Sequence, residues 1–80
     1  MRNFIKKTTI NEHTYVMFID GTDGESIPQY GFAIDNDEVS DVTTETKIAM
    51  SIFERIVTGE ASPLHLRDIC EDAITEAAMV

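Results

Sequence analysis

Three side chains of the sequence are candidates for a nucleophile or a general base: His13, His65 and Cys70. Such a group catalyses a reaction only when a partner within hydrogen-bond reach activates it. His65 and Cys70 are five residues apart on one helical pattern, which directs them to different faces, and Cys70 falls on the apolar face. A reactive thiol is usually exposed and lies beside a cation. We therefore interpret Cys70 as a core thiol and expect no catalytic residues and no enzymatic activity.

Two acidic segments, DGTDGE at 20–25 and DNDE at 35–38, contain oxygen ligands of the kind that metal ions use. A calcium-binding loop needs such ligands at alternating positions, a central glycine and a glutamate at the twelfth position. Neither segment fits, because a loop that begins at Asp20 has Thr22 and Gly24 at its third and fifth places. Asp, Asn and Gly are common in turns for conformational reasons. We expect turns at both places, no metal site and no cofactor.

The charged residues are divided unevenly along the chain. Six basic and fifteen acidic residues give a net charge of −9, and the first ten residues hold three of the basic residues and none of the acidic ones. The remainder of the chain is therefore strongly acidic. Direct binding of nucleic acid requires clustered Lys and Arg, and this chain offers only a short basic N-terminus. We therefore exclude that role. An acidic surface instead steers basic proteins towards it, so we expect a basic protein as the partner.

Size and cysteine content indicate one domain in a reducing compartment. A chain of 80 residues suits a single domain with one small core. Its lone cysteine cannot form an internal disulfide. No apolar run is long enough for a transmembrane helix or a signal peptide. We expect a cytoplasmic protein that does not contact a membrane.

Asp68, Asp72 and Glu76 stand at positions i, i+4 and i+8 of the helical segment that begins at Pro63. Each like-charge pair costs about 0.2 to 0.5 kcal/mol in an isolated helix. Arg67 is the only basic residue of that helix. The acidic row is either a solvated face or a surface whose charge is kept for the arginines of a partner. Both interpretations remain open at this point.

The N-terminal half of the chain has the pattern of a small antiparallel sheet. Asn3 to Ile10 alternates like a strand and would place Phe4, Thr8 and Ile10 on one side of it. The segment NEH at 11–13 then turns the chain back into TYVMFID. Residues 15–19 are apolar on both faces, as expected of a central strand.

The next strand alternates Tyr30, Phe32 and Ile34 with small residues. The stretch GTDGESIPQ at 21–29 connects it to the central strand as a hairpin turn, and its two acids, Asp23 and Glu25, lie at the tip. After a tight turn, Val39 and Val42 begin a short edge strand.

Two amphipathic helices follow. Apolar residues recur at helical spacing from 44 to 58, and Gly59 stands where a left-handed C-cap belongs. Ser62 and Pro63 form an N-cap and a first helical position, and an apolar stripe from Leu66 to Ala77 predicts a second helix. Two helices beside a small antiparallel sheet of three to four strands predict a two-layer α+β domain.

One part of the chain has a family resemblance. Tyr15, GTD at 21–23, SI at 26–27, Gln29 and ND at 36–37 match without a gap, and an amphipathic helix that ends in Gly follows. In these residues the stretch from Tyr15 to Asp37, about a third of the chain, resembles a small acidic anti-CRISPR protein family that inhibits the nuclease Cas9. That family begins with a helix, whereas the N-terminus of this chain alternates like a strand.

The resemblance implies a three-stranded antiparallel sheet with helices, and acidic loops that occupy the groove where Cas9 reads its PAM, so that DNA is excluded. PAM reading relies on arginines in a positively charged channel, where carboxylates would compete with the duplex. Asp23 and Asp37 are matching positions, and Glu38 is included only because it follows Asp37. The acids of the predicted turn and of the helical row are added to these positions. The partner-binding candidates are Asp23, Glu25, Asp37, Glu38, Asp68, Asp72 and Glu76.

The function that these observations favour is that of a small acidic inhibitor, encoded by a phage, that blocks a CRISPR nuclease with a DNA-mimicking carboxylate surface. Two alternatives remain. A DNA mimic directed at another nuclease or restriction enzyme would share the acidic surface. A structural or assembly module would instead associate through apolar residues, independently of salt.

Overall fold

The computed structural model describes residues 2–21 and 27–78. Four antiparallel strands form one sheet, and two helices that follow it in the chain pack on one of its faces. This arrangement confirms the predicted α+β class. The elements are β1 Asn3–Ile10, β2 His13–Asp20, β3 Gln29–Ile34, β4 Asp37–Thr43, α1 Thr46–Thr58, a short 3-10 turn Pro63–His65, and α2 Leu66–Ala78.

The strands lie in the order β1-β2-β3-β4, so β1 and β4 are the two edges of the sheet. The N-terminal segment is a strand, as its alternation predicts, and it pairs with β2 over its whole length. Asn11 and Glu12 connect the two strands with φ values of 48° and 72°. Two consecutive positive φ values are the geometry of a two-residue type I′ hairpin turn.

Phe4 does not lie on the same side of β1 as Thr8 and Ile10, which corrects the expectation from strict alternation. The register of β1 against β2 shifts between Phe4 and Lys6, where Ile5 is the extra residue of a bulge. An extra residue reverses the alternation that precedes it. Phe4 therefore lies opposite Phe18, on the face of the sheet that the helices do not cover.

The core lies between the other face of the sheet and the two helices. Phe32, Ile34 and Tyr15 contribute from the sheet and are completely buried. The hydroxyl of Tyr15 donates a hydrogen bond of 3.4 Å to the carbonyl of Ala61, so the buried ring has a polar partner. The buried cluster as a whole consists of Tyr15, Met17, Phe32, Ile34, Ala49, Ile52, Phe53, Ile56, Leu66 and Cys70.

The end of α1 corrects the predicted left-handed glycine. Gly59 has an ordinary right-handed φ of −83°, and the left-handed residue is Glu60, with φ 46°. The Glu60 amide donates to the Val57 carbonyl and the Ala61 amide donates to the Ile56 carbonyl. These two bonds form a Schellman motif one residue later than the glycine predicts.

The second helix begins as the sequence predicts, with Ser62 as an N-cap. The Ser62 hydroxyl accepts a hydrogen bond of 3.2 Å from the Leu64 amide, and Pro63 follows at the first position. The first turn is a 3-10 turn rather than α-helix, and α2 proper starts at Leu66. Within the described ranges, neither helix is long and apolar enough to cross a membrane.

Candidate functional site

The groove between the start of β4 and the start of α2 brings together acids that are distant in the sequence. Asp37 and Glu38 enter it from β4, and Asp68 enters it from the first turn of α2. We call it the acidic groove; its volume is about 330 Å³. The residues that line it are Asp37, Glu38, Val39, Pro63, Leu64, Leu66, Arg67 and Asp68.

A second groove continues along the same two elements. Its volume is about 480 Å³, and Asp41 and Glu71 add two more carboxylates to its walls. Val42, Ile74 and the buried Cys70 form apolar parts of the lining. The β4 edge of the sheet is therefore flanked by two grooves that share Val39 and Arg67 and whose linings contain both apolar and acidic groups.

The acidic groove offers both charge and apolar contact to a partner. The side chain of Leu64 is 87% exposed at its rim, although a leucine is normally buried. Across residues 2–21 and 27–78, neither Asp37 nor Asp68 lies within ion-pair distance of a basic group. Arg67 is the one basic residue of the lining. The groove is thus an accessible, net negative surface with an apolar anchor.

Asp68 also has a local role in the helix. It lies in the first turn of α2, where the partial positive charge of the helix N-terminus stabilises a carboxylate. This explains why an acid is tolerated there although, within the described residues, no basic group forms an ion pair with it. The same carboxylate remains able to accept hydrogen bonds from a partner.

The acidic row on α2 is partly offset by a basic residue of α1. Arg55 of α1 donates a hydrogen bond of 2.8 Å to Glu76, at the groove between the two helices. Asp72 also contributes to the raised pKa of Arg55, after the stronger effect of Glu76. The basic residue that offsets the row therefore comes from the other helix, which the sequence of α2 alone does not reveal. Of the three acids, Asp68 is the one that lines the acidic groove.

Asp23 and Glu25 lie outside the described residues. The two strands on either side are antiparallel neighbours, and Asp20 pairs with Gln29 at their ends. The predicted turn at 21–29 lies largely outside the described residues and stays a prediction.

The uncovered face of the sheet carries a second charged cluster, which we call the Arg2 cluster: Arg2, Phe18, Asp20 and Glu38. The Arg2 guanidinium donates to both carboxylate oxygens of Asp20, at 2.8 and 3.1 Å, and to Glu38 at 2.5 Å. Its central carbon lies 3.9 Å from the centre of the Phe18 ring. Glu38 therefore borders both the Arg2 cluster and the acidic groove.

Electrostatics in the Arg2 cluster follow from these contacts. The hydrogen bond from Arg2 lowers the pKa of Asp20, against a smaller opposing effect of desolvation. In return, the bond to Asp20 raises the pKa of Arg2. Sequence reasoning missed this cluster. Its only signal was the apolar character of β2 on both faces, which implied that Phe18 needed a cover without indicating that a cation provides it.

A third group of polar contacts joins the two turns at one end of the sheet. Asp35 accepts a hydrogen bond of 2.9 Å from the Thr14 amide and lies 2.6 Å from His13 Nδ1. The backbone hydrogen bond, followed by that of His13, lowers the Asp35 pKa. Asn11 also donates to the carboxylate of Glu60. These contacts satisfy turn residues and fix the two hairpins relative to each other.

The candidate nucleophiles lie apart. Cys70 is buried, and desolvation raises the pKa of its thiol to about 11. His65 is in the exposed 3-10 turn, and His13 lies beside Asp35 at the start of β2. Burial of Cys70 in the core confirms that part of the prediction. Among the described residues, no three His, Cys, Asp or Glu side chains are grouped as metal ligands.

Comparisons with known proteins identify no relative of this chain. No protein-family model matches this chain, and neither a curated protein nor a solved structure matches it. The resemblance between residues 15 and 37 and the anti-CRISPR family therefore stays a prediction.

Proposed function

We propose that this protein is an inhibitor that binds a basic nucleic-acid-binding effector, a guide-loaded CRISPR nuclease of the Cas9 type, and excludes DNA from it. The observation that carries the proposal is the acidic groove, where Asp37 and Asp68 present carboxylates that form no ion pair within residues 2–21 and 27–78, beside the exposed Leu64. Carboxylates bind arginine in the bidentate geometry that phosphates also use. The arginines with which such a nuclease reads DNA are therefore suitable partners.

The residues of the acidic groove favour a protein-binding surface over a merely solvated one. Acids from two different elements converge on it, although like charges repel. An exposed leucine at the rim supplies the apolar contact that protein interfaces place among polar groups. The resemblance around Asp37 independently indicates the same part of β4.

Competition with DNA tests the proposal. The nuclease is loaded with guide RNA, and its binding of a fluorescent PAM-containing duplex is measured while this protein is added. We expect the protein to displace the duplex, and excess duplex to displace the protein. A ternary complex of nuclease, duplex and protein would contradict the proposal.

The salt dependence of the association rate provides a second test of the proposal. Steering between opposite charges raises the association rate, and salt screens it. We expect the association rate to fall several-fold between 50 and 300 mM salt, with a smaller change in the dissociation rate. An association rate that is independent of salt would contradict the acidic-surface mechanism. Capture of a different basic nuclease that releases its DNA would assign the same mechanism to another target and would refute the choice of a CRISPR nuclease.

A further inference from the structure

Phe18 is only 1% exposed, but the groups that shield its ring from solvent are unusual. Phe18 lies on the open face of the sheet and is not part of the core cluster beneath the helices. Its ring meets the edge of Phe4, with ring centres 6.4 Å apart and planes at 76°, and the Arg2 guanidinium lies above it. A partly exposed cationic side chain therefore completes the burial of this aromatic ring.

The sheet holds the Phe18 ring in a fixed place beneath that cation. Gly31 lies directly opposite Phe18 on β3. A Cβ atom at Gly31 would lie 2.5 Å from two carbons of the ring and 2.8 Å from the Val39 carbonyl oxygen. The ring thus packs against the bare backbone of Gly31, and the Arg2 guanidinium lies over the ring.

The two carboxylates complete the recognition of a guanidinium. Asp20 receives two hydrogen bonds from Arg2, Glu38 receives a third, and the central carbon of the guanidinium lies 3.9 Å from the centre of the Phe18 ring. A planar, forked cation matches this arrangement, whereas the compact ammonium group of lysine does not. The geometry is that of an arginine-binding site, and the arginine in it belongs to the chain itself.

We propose that Phe18, Asp20 and Glu38 form a binding site for an arginine side chain of a partner protein, and that Arg2 fills this site until the partner replaces it. Arg2 precedes β1, whose pairing with β2 begins at Asn3 in the described residues. Its side chain is 35% exposed, and those of Asp20 and Glu38 are 28% and 51% exposed. Ion pairs this exposed contribute little to folding, so exchanging one guanidinium for another leaves the fold intact.

The position of the site connects it with the proposed function. Glu38 borders the acidic groove as well as the Arg2 cluster, so a partner that occupies the groove brings its basic groups next to Arg2. Only the identity of the partner rests on the proposed function. The site itself can be tested with a small guanidinium compound.

The experiment compares Arg2→Ala with Lys7→Ala. Both variants lose one positive charge from the same end of the chain, and Lys7 lies on the open face opposite Val16 without an ion pair in the described parts of the chain. N-acetyl-arginine methylamide is titrated into each protein, and the NMR signals of the Phe18 ring and of the Asp20 and Glu38 carboxyl carbons are followed. N-acetyl-lysine methylamide is the matched probe.

We expect saturable shifts of these signals in Arg2→Ala with the arginine probe. The wild type and Lys7→Ala should need at least about tenfold more of the arginine probe to reach the same shifts, because Arg2 occupies the site most of the time. Adding Asp20→Asn to Arg2→Ala should abolish the shifts. Arg2→Gln, which keeps much of the side-chain length over Phe18, should behave like Arg2→Ala and provides the test if truncation loosens β1.

Absence of saturable shifts in both Arg2 variants would overturn the proposal, and so would equal responses to the lysine and arginine probes. The result does not depend on which protein the acidic groove binds. Failure of this titration with successful DNA competition would leave the proposed function standing and remove the arginine site alone.

Discussion

Phe32 and Phe18 lie on opposite faces of the same sheet and are equally inaccessible, at 0% and 1% exposure, but different groups cover them. Phe32 is enclosed by the apolar residues of both helices. Phe18 is enclosed by one phenylalanine edge, one glycine backbone and the guanidinium of Arg2.

The two phenylalanines therefore differ in what must move before their rings become exposed. The cover of Phe32 is removed only when the helices leave the sheet, which is unfolding. The cover of Phe18 includes a surface side chain, which can move while the backbone stays in place. The helix side therefore maintains the fold, and the open side and the β4 edge are available for binding.

The largest expected effect comes from Phe32→Ala. Removing a buried phenylalanine costs about 3 to 5 kcal/mol, a large part of the total of about 5 to 15 kcal/mol that holds a domain together. Urea denaturation measures the change. Phe4→Ala, in which a ring that is 70% exposed is lost, is the matched control and should cost much less. Equal losses in the two variants would break the comparison between the faces.

Gly31→Ala should have the next largest effect. The new methyl group would meet the Phe18 ring and the Val39 carbonyl oxygen, and overpacking of this kind costs about 1 to 3 kcal/mol. Gly59→Ala is the control, because its φ is ordinary and the nearest atom would be 3.1 Å away. We expect the control to change the free energy of unfolding by less than about 1 kcal/mol. A neutral Gly31→Ala would show that Phe18 is not held against the backbone.

Arg2→Ala should destabilise the protein only slightly. An exposed cation–π contact contributes about 0.5 to 1 kcal/mol, and a surface ion pair contributes about 0 to 1 kcal/mol. Urea denaturation of Arg2→Ala, measured alongside Phe32→Ala, compares the two losses of stability directly. A loss as large as that of Phe32→Ala would mean that Arg2 is part of the core and is not exchangeable.

The smallest effect concerns the pH dependence of stability. Arg2 lowers the folded-state pKa of Asp20 below its ordinary value of 3.8, so the ionised form stabilises the fold. This contribution is fully present above that ordinary value and is lost as the pH falls through the lowered pKa. Urea denaturation between pH 2 and 7 should show a shallower acid decline in Asp20→Asn than in the wild type. Identical slopes would contradict the ion pair.

The sequence predicts the architecture because apolar periodicity decides which faces are buried. The alternation in β3 and the stripe on α2 correctly indicate the core, including Cys70. Local patterns are less informative where one residue changes the geometry, as the bulge at Ile5 and the left-handed Glu60 show.

The candidate site was predicted in part. Asp37, Glu38 and Asp68 were identified as acids, but only the packing of α2 beside β4 shows that they line one groove. The pairing of Glu76 with Arg55 and of Glu38 with Arg2 joins residues that are 21 and 36 positions apart. Spacing rules apply within one helix or strand and do not predict such pairs. The sequence therefore could not show which acids form ion pairs in the described part of the chain.

Charge reversal in the acidic groove tests the central claim most directly. The double variant Asp37→Lys, Asp68→Lys is compared with Glu12→Lys, Glu54→Lys, which changes the net charge equally at exposed positions outside both grooves beside β4. The dissociation constant for the guide-loaded nuclease is measured for both, after circular dichroism shows that they are folded.

If the groove contacts the arginines of the nuclease, the first variant loses two charge-assisted hydrogen bonds, and its affinity falls about a hundredfold or more. The control should lose only the general attraction between opposite charges, a change of a few-fold. Equal losses in the two variants, or no loss in either, would contradict binding through the acidic groove.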